Sequence, residues 1–216
     1  FLFYSFMVVA TATIFSFKTI YISENILDSI NNAFFTSLTL ITTTGFTNLD
    51  YENWNINYRT FILGLMFLGG MAGSTAGGIK TIRVIALLKS VRNEIRKIFY
   101  PNAIFKIRMS KSILPEKMIE SVQTFFILYV AIFVLGTFAI SISSNAYGDP
   151  MSFEATLSAV ASAMNNIGPG LAELGPTKNY FLLNNSTKIL LSLLMVIGRL
   201  EIFPIAILLY RKSWKS

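Results

Sequence analysis

Four blocks of mostly apolar residues punctuate the chain, at about 1–22, 60–79, 122–142 and 189–210. Each is close to the ~20 residues a helix needs to cross a bilayer. Two shorter semi-apolar stretches, 32–41 and 153–164, lie between them. Stretches of that length are too short to span and are candidates for re-entrant helices. The first runs into Thr42-Thr43-Thr44-Gly45-Phe46-Thr47, the second into Asn165-Asn166-Ile167-Gly168-Pro169-Gly170-Leu171. Non-helical backbone at membrane depth is tolerated only where protein buries it or water lines it. The pattern therefore predicts an all-α integral membrane protein in which each half reads helix, short helix, glycine-containing turn, helix.

The two halves share their spacing. Arg59 lies 10 residues before Gly69, and Lys188 lies 10 before Gly198. Gly45 precedes Arg59 by 14 residues and Gly168 precedes Lys188 by 20, so a six-residue insertion near 173–178 aligns them. This is the mark of an internal duplication, a common device in transporters. It divides the chain into a first repeat at 1–98, a basic linker at 99–117 and a second repeat at 118–216.

Composition agrees with the membrane reading. Residues are 53% hydrophobic and only 13% charged, with a mean hydropathy of +0.59, and a soluble domain carries about twice that share of charge. The net charge of +7 raises nucleic acid as a partner, but position argues against it. Ten of the eighteen Lys and Arg fall between Lys80 and Lys117, and three more between Arg211 and Lys215. Both clusters follow apolar blocks, which is the positive-inside pattern of cytoplasmic segments. The 18–59 and 148–188 stretches carry Glu24, Asp28, Asp50, Glu52, Asp149, Glu154 and Glu173, and are expected outside. With no Cys and no His, disulfides, thiol chemistry and His-based metal or acid–base sites are excluded from this sequence. It opens inside an apolar block without Met and without a basic leader, so a signal peptide is not expected and a fragment is.

Both turns suit cation coordination. A desolvated cation needs replacement oxygens, and successive backbone carbonyls supply them where the chain turns several towards one axis. Glycine is the cheapest residue for the unusual φ this requires. The candidate ligands for potassium are the carbonyls of Thr42, Thr43, Thr44 and Gly45, and of Asn165, Asn166, Ile167 and Gly168. No carboxylate lies in either turn, so a calcium ring is not suggested. The blander alternative is a pair of external turns after interfacial helices.

The 69–78 stretch holds five glycines, Gly69, Gly70, Gly73, Gly77 and Gly78. Each costs a helix about 1 kcal/mol relative to Ala, so a break inside the second block is expected. Close helix packing through a small-residue motif is an alternative. A phosphate-binding loop is not, since Ile79 separates Gly78 from Lys80 and no strand precedes. Arg199 lies deep in the last block. A central Arg costs ~2.5–3.5 kcal/mol to insert and needs a partner. Glu201, two residues on, does not share its helix face. Carbonyls freed by the broken helix at 69–78 are the expected partner, and a snorkelling Arg the alternative.

Thr42–Thr47, the string Gly69-Gly70-Met71-Ala72-Gly73-Ser74-Thr75-Ala76-Gly77-Gly78-Ile79-Lys80, Asn165–Leu171 and Gly198-Arg199-Leu200-Glu201 resemble the Trk/Ktr/HKT potassium transporter superfamily. Tyr100-Pro101-Asn102-Ala103 is similar to its bacterial TrkH branch. The resemblance implies the third and fourth of four M1–re-entrant pore loop–M2 repeats, half of a potassium-channel-like pore, with Gly45 and Gly168 as filter glycines. It implies an intramembrane gate formed by Gly69, Gly70, Gly73, Gly77, Gly78, Lys80 and Arg199. It further implies a multi-pass protein of the bacterial inner membrane with a cytoplasmic C-terminus. The implied partners are the missing N-terminal repeats of the same chain, a second copy in a homodimer, membrane lipids and a cytosolic nucleotide-binding subunit of the TrkA type. Potassium is then a substrate, no cofactor is expected, and no bond chemistry is done. A sodium-selective or sodium-coupled relative and a non-conducting membrane scaffold stay open.

Overall fold

The computed structural model describes residues 2–103, 105–109, 112–148 and 150–200. The chain runs α1 (Leu2–Thr19), α2 (Ile26–Ile41), a 3-10 turn (Tyr51–Asn53), α3 (Ile56–Met66), α4 (Thr81–Phe99), a two-stranded hairpin of β1 (Arg108–Met109) and β2 (Ser112–Ile113), α5 (Glu116–Ala146), α6 (Phe153–Asn165), a second 3-10 turn (Ala172–Leu174) and α7 (Asn185–Leu200). Among the described residues, α1 and α5 are long and apolar enough to cross a membrane. The end of the last apolar block, with Glu201, and the basic cluster of Arg211 and Lys215 that follows it lie outside the described residues.

The elements differ from the expected blocks where polar residues find partners. α2 begins at Ile26 rather than near 32. Its first turns mix polar residues with exposed Ile26 and Leu27, but Ser29 is fully buried against α1, where the Thr19 hydroxyl donates to the Ser29 carbonyl at 2.9 Å. Farther along the same interface Thr11 and Ser37 share a hydrogen bond, and the Ser37 hydroxyl donates to the Val8 carbonyl at 3.1 Å. Such hydroxyls let two apolar helices pack closely and bond across the seam. α5 starts after Pro115, with Glu116 in its first turn favouring the helix dipole. It runs 31 residues, about 46 Å at 1.5 Å per residue.

The 60–79 block is not one helix. α3 stops at Met66, and its 11 residues rise only about 16 Å. The chain then folds back on itself. The Gly69 amide donates to the Ile79 carbonyl at 3.0 Å, and the Ile79 amide to the Phe67 carbonyl at 3.2 Å. The Thr81 amide and hydroxyl close the loop on the carbonyls of Gly70 and Gly69, each at 3.0 Å. The turn thus ends where it began, and the chain departs along α4.

α6 is the pivot of the packing. Its N-cap Ser152 accepts from the Ala155 amide at 3.2 Å, and Asn166 ends the helix in the left-handed region. Ala and Ser at 155, 158, 159, 161, 162 and 163 are all buried. Small side chains there let α3, α5 and α7 approach it. The two apolar cores interlock around this helix. One gathers Phe15, Leu40, Trp54, Ile62 and Met66 with Ala161, Ile167 and Leu171. The other gathers Tyr129, Ile140, Val160, Met164 and Leu194 with Ile79.

Candidate functional site

The turns after α2 and α6 have matching backbone geometry. Two residues before its glycine, each carries a non-glycine residue at positive φ, Thr43 at 54° and Asn166 at 53°. The glycines follow suit, Gly45 at 80° and Gly168 at 120°. The hydrogen bonds match as well. The Thr43 amide donates to the Leu40 carbonyl and the Asn166 amide to Ala163, both at 3.2 Å. The Thr44 amide donates to Thr39 and the Ile167 amide to Ser162, both at 3.0 Å. Arg59 and Lys188 each take the fourth position of their helix, α3 or α7.

The turns also meet. A Cβ placed on Gly45 would fall 1.8 Å from the Ile167 carbonyl oxygen, so only glycine fits this approach. Among the described residues, no hydrogen-bond donor reaches the carbonyls of Thr42 to Gly45 or of Asn165 to Ile167. The Gly168 carbonyl differs, because the Tyr180 hydroxyl donates to it at 3.1 Å. Serines of α6 hold the second turn from behind. Ser162 Oγ accepts from the Gly168 amide at 3.0 Å, and Ser158 Oγ from the Leu171 amide at 2.8 Å.

The glycine-rich loop at 69–78 packs directly against both turns. The Gly77 amide donates to Thr43 Oγ1 at 2.9 Å. On its other side, a Cβ at Gly77 would lie 1.9 Å from the Asn165 carbonyl oxygen. Asn165 is fully buried and fixed, with Tyr129 donating to its Oδ1 and its Nδ2 donating to the Ala161 carbonyl, each at 2.7 Å. Gly69 faces inward within the loop, where a Cβ would fall 2.2 Å from the Gly77 carbonyl oxygen. Gly70 would clash with the Ser74 and Ala76 side chains, and Gly78 takes φ 72°. Gly73 has open space and φ 83°.

Three successive carbonyls of the loop face side-chain cations. Lys80 Nζ donates to Ser74 at 2.7 Å and to Ala76 at 2.5 Å. Arg199 Nη1 donates to the carbonyl between them, that of Thr75. Arg199 is carried there by α7, which touches the second turn. A Cβ at Gly198 would lie 1.9 Å from the Met164 carbonyl oxygen, and Asn166 Nδ2 donates to the Met195 carbonyl at 3.2 Å. A cavity of about 360 Å³ opens between the loop, Arg83, Tyr129, Met164 and Arg199.

On the far side of the turns lies a charged cluster that spacing alone did not single out. Glu52 Oε1 accepts from the Ala172 amide at 2.6 Å. Arg59 lies 3.3 Å from Glu154 and 3.9 Å from Glu52. Burial holds the Glu52 carboxyl above the usual carboxylate range, against the opposing pull of the Ala172 amide and Arg59. Burial likewise pushes the Tyr180 phenol up to about 12. Glu52 lies 120 residues from Ala172, and no local pattern links them. The one available signal was a basic residue, Arg59, in an otherwise acidic segment.

The TrkH family of cation transport proteins matches residues 1–216, the whole sequence. This chain belongs to that family. It is 34% identical over 210 residues to the Trk system potassium uptake protein TrkH of Salmonella typhimurium, covering 97% of this chain and 41% of that protein. It is 33% identical over 189 residues to the Trk system potassium uptake protein TrkG of Escherichia coli, covering 87% and 37%. The crystal structure of the potassium transporter TrkH from Vibrio parahaemolyticus superposes with a TM-score of 0.85 at 31% identity, over 97% of this chain and 44% of that one. The chain thus spans less than half the length of these TrkH-family relatives.

Proposed function

We propose that this chain forms half of a potassium pathway across a bacterial cytoplasmic membrane. In this reading 1–98 and 118–216 are two M1–pore loop–M2 repeats, the third and fourth of four. The matched pair of turns carries the proposal. Two loops with a left-handed residue at the same position, the same glycine and the same hydrogen bonds offer carbonyl oxygens that no donor among the described residues occupies. A ring of such oxygens replaces the hydration shell of potassium. The C-terminal ends of α2 and α6 add partial negative charge there. The Trk names of the relatives support potassium as the ion.

The ligands are the carbonyls of Thr42 to Gly45 and Asn165 to Ile167. Gly168 contributes its φ, and its carbonyl contributes only when shared with Tyr180. Below the filter, the 69–78 loop blocks the pathway. Lys80 pins the loop to the start of α4, and Arg199 pins it to α7. The ion gradient and the membrane potential drive flow, and no bond chemistry is performed. The remaining repeats, a second copy of the protein and a TrkA-like cytosolic subunit complete the assembly.

The test is rubidium uptake into liposomes carrying the full-length parent protein. Potassium is expected to compete and sodium is not. Competition by sodium stronger than by potassium would replace this reading with a sodium-selective one, and equal competition with a non-selective one.

A further inference from the structure

The left-handed non-glycine residues of the two turns, Thr43 and Asn166, are tied, each through its own side chain, to a different part of the gate. Thr43 is the left-handed residue of the first turn, and its hydroxyl accepts from the Gly77 amide of the glycine-rich loop at 2.9 Å. Asn166 is the left-handed residue of the second, and its side-chain amide donates to the Met195 carbonyl of α7 at 3.2 Å. Met195 lies one helical turn before Arg199, which holds the same loop at Thr75. So the first turn is fastened to the loop, the second to the helix that clasps the loop.

A left-handed conformation costs a non-glycine residue about 1–3 kcal/mol and persists only where the surroundings enforce it. Here part of that enforcement comes from the gate elements. The Thr43 hydroxyl is buried, so the Gly77 amide is not readily exchanged for water. If the loop withdraws, Gly77 leaves Thr43, and the carbonyls on either side of Thr43 lose the restraint that aims them.

We propose that Thr43 and Asn166 are positioning residues that couple gate to filter, so that the state of the glycine-rich loop sets the ion preference of the pathway. The inference rests on the pore reading above. Opening the gate then changes selectivity as well as flux. A gate that acted only as a plug would change flux alone.

The experiment compares rubidium uptake by the full-length parent, in liposomes, under potassium and sodium competition. Arg199→Ala releases the loop without touching either turn. It is expected to shift the potassium-over-sodium preference by about three- to tenfold, the range of one hydrogen bond. In a Thr43→Val background the same Arg199→Ala change is expected to shift the preference less than twofold, since the tie is already cut. Thr43→Ser, which keeps the hydroxyl, restores the full shift. If Arg199→Ala raises flux at unchanged preference, the coupling is refuted. It is refuted too if Thr43→Val and Arg199→Ala multiply independently, as a merely structural Thr43 would have it. Should Thr43→Val fail to reach the membrane, Thr43→Gly removes the same hydroxyl without straining the left-handed backbone and is judged on the same terms. Parent uptake that potassium does not compete away would overturn the pore reading itself. Potassium-competed uptake with additive variants overturns only the coupling.

Discussion

Gly77→Ala tests whether the glycine-rich loop is wedged beneath the filter. The added methyl would lie 1.9 Å from the Asn165 carbonyl oxygen, 2.5 Å from its carbon and 3.2 Å from its Cα. That is roughly 1.5 Å inside ordinary contact for the nearest atom, and every obstructing atom is backbone. Asn165 cannot step aside cheaply, because Tyr129 and Ala161 hold its side chain within a fully buried site. The loop has to move instead, and the bond from the Gly77 amide to Thr43 goes with it. Overpacking of this kind costs about 1–3 kcal/mol, all of it charged to the closed arrangement. Resting rubidium uptake by the full-length parent, without activator, is then expected to rise about 5- to 150-fold, up to the open-state rate. Gly64→Ala is the control, because a methyl there meets nothing within 4 Å and sits within α3, in its last turn. Unchanged resting uptake by a Gly77→Ala protein of normal abundance and heat stability would mean that the loop does not rest against Asn165.

Arg199→Ala removes the clasp on Thr75 and is expected to raise resting uptake severalfold; normal expression with unchanged flux would remove Arg199 from the gate. Glu52 predicts a pH effect at the outer cluster. Its carboxyl titrates above the ordinary value in the folded protein, so between those values the folded state holds a proton that the unfolded chain lacks. Its contribution to stability therefore grows as pH falls towards the ordinary carboxylate value and is lost as pH rises through the raised one. The heat stability of wild type relative to Glu52→Gln, followed over that range, is expected to improve on acidification; a pH-independent difference would contradict this.

The turns and the helix break were legible because their geometry is local. The turns follow short apolar helices, and each needs a glycine, so Gly45 and Gly168 could be found from adjacency alone. Five glycines in ten residues could not continue a helix, and the break falls there. The missing parts depend on contacts distant in sequence. α2 starts six residues earlier than its apolar pattern because Ser29 bonds to Thr19 on α1, and a polar residue signals nothing until its partner is known. The loop's closure through Phe67, Gly69 and Ile79 is a backbone pairing with no side-chain signature. Glu52, Ala172 and Glu154 meet only once both repeats have folded. Gly198 was noticed as a spacing landmark, but its tight seat on Met164 is a property of packing. Thr43 was read for its carbonyl, and its hydroxyl contact with Gly77 depends on how the loop folds back.

The most direct test of the central claim is rubidium uptake by the full-length parent and its Gly45→Ala variant, each titrated with potassium and with sodium. Gly45 sits at φ 80° against the Ile167 carbonyl, so alanine there disturbs both turns at once. If the turns form a potassium filter, wild-type uptake is competed by potassium and not by sodium, and Gly45→Ala narrows that gap at least tenfold while protein still reaches the membrane. If the two proteins rank the ions identically, or the variant only fails to assemble, the turns pack helices and the pathway lies elsewhere.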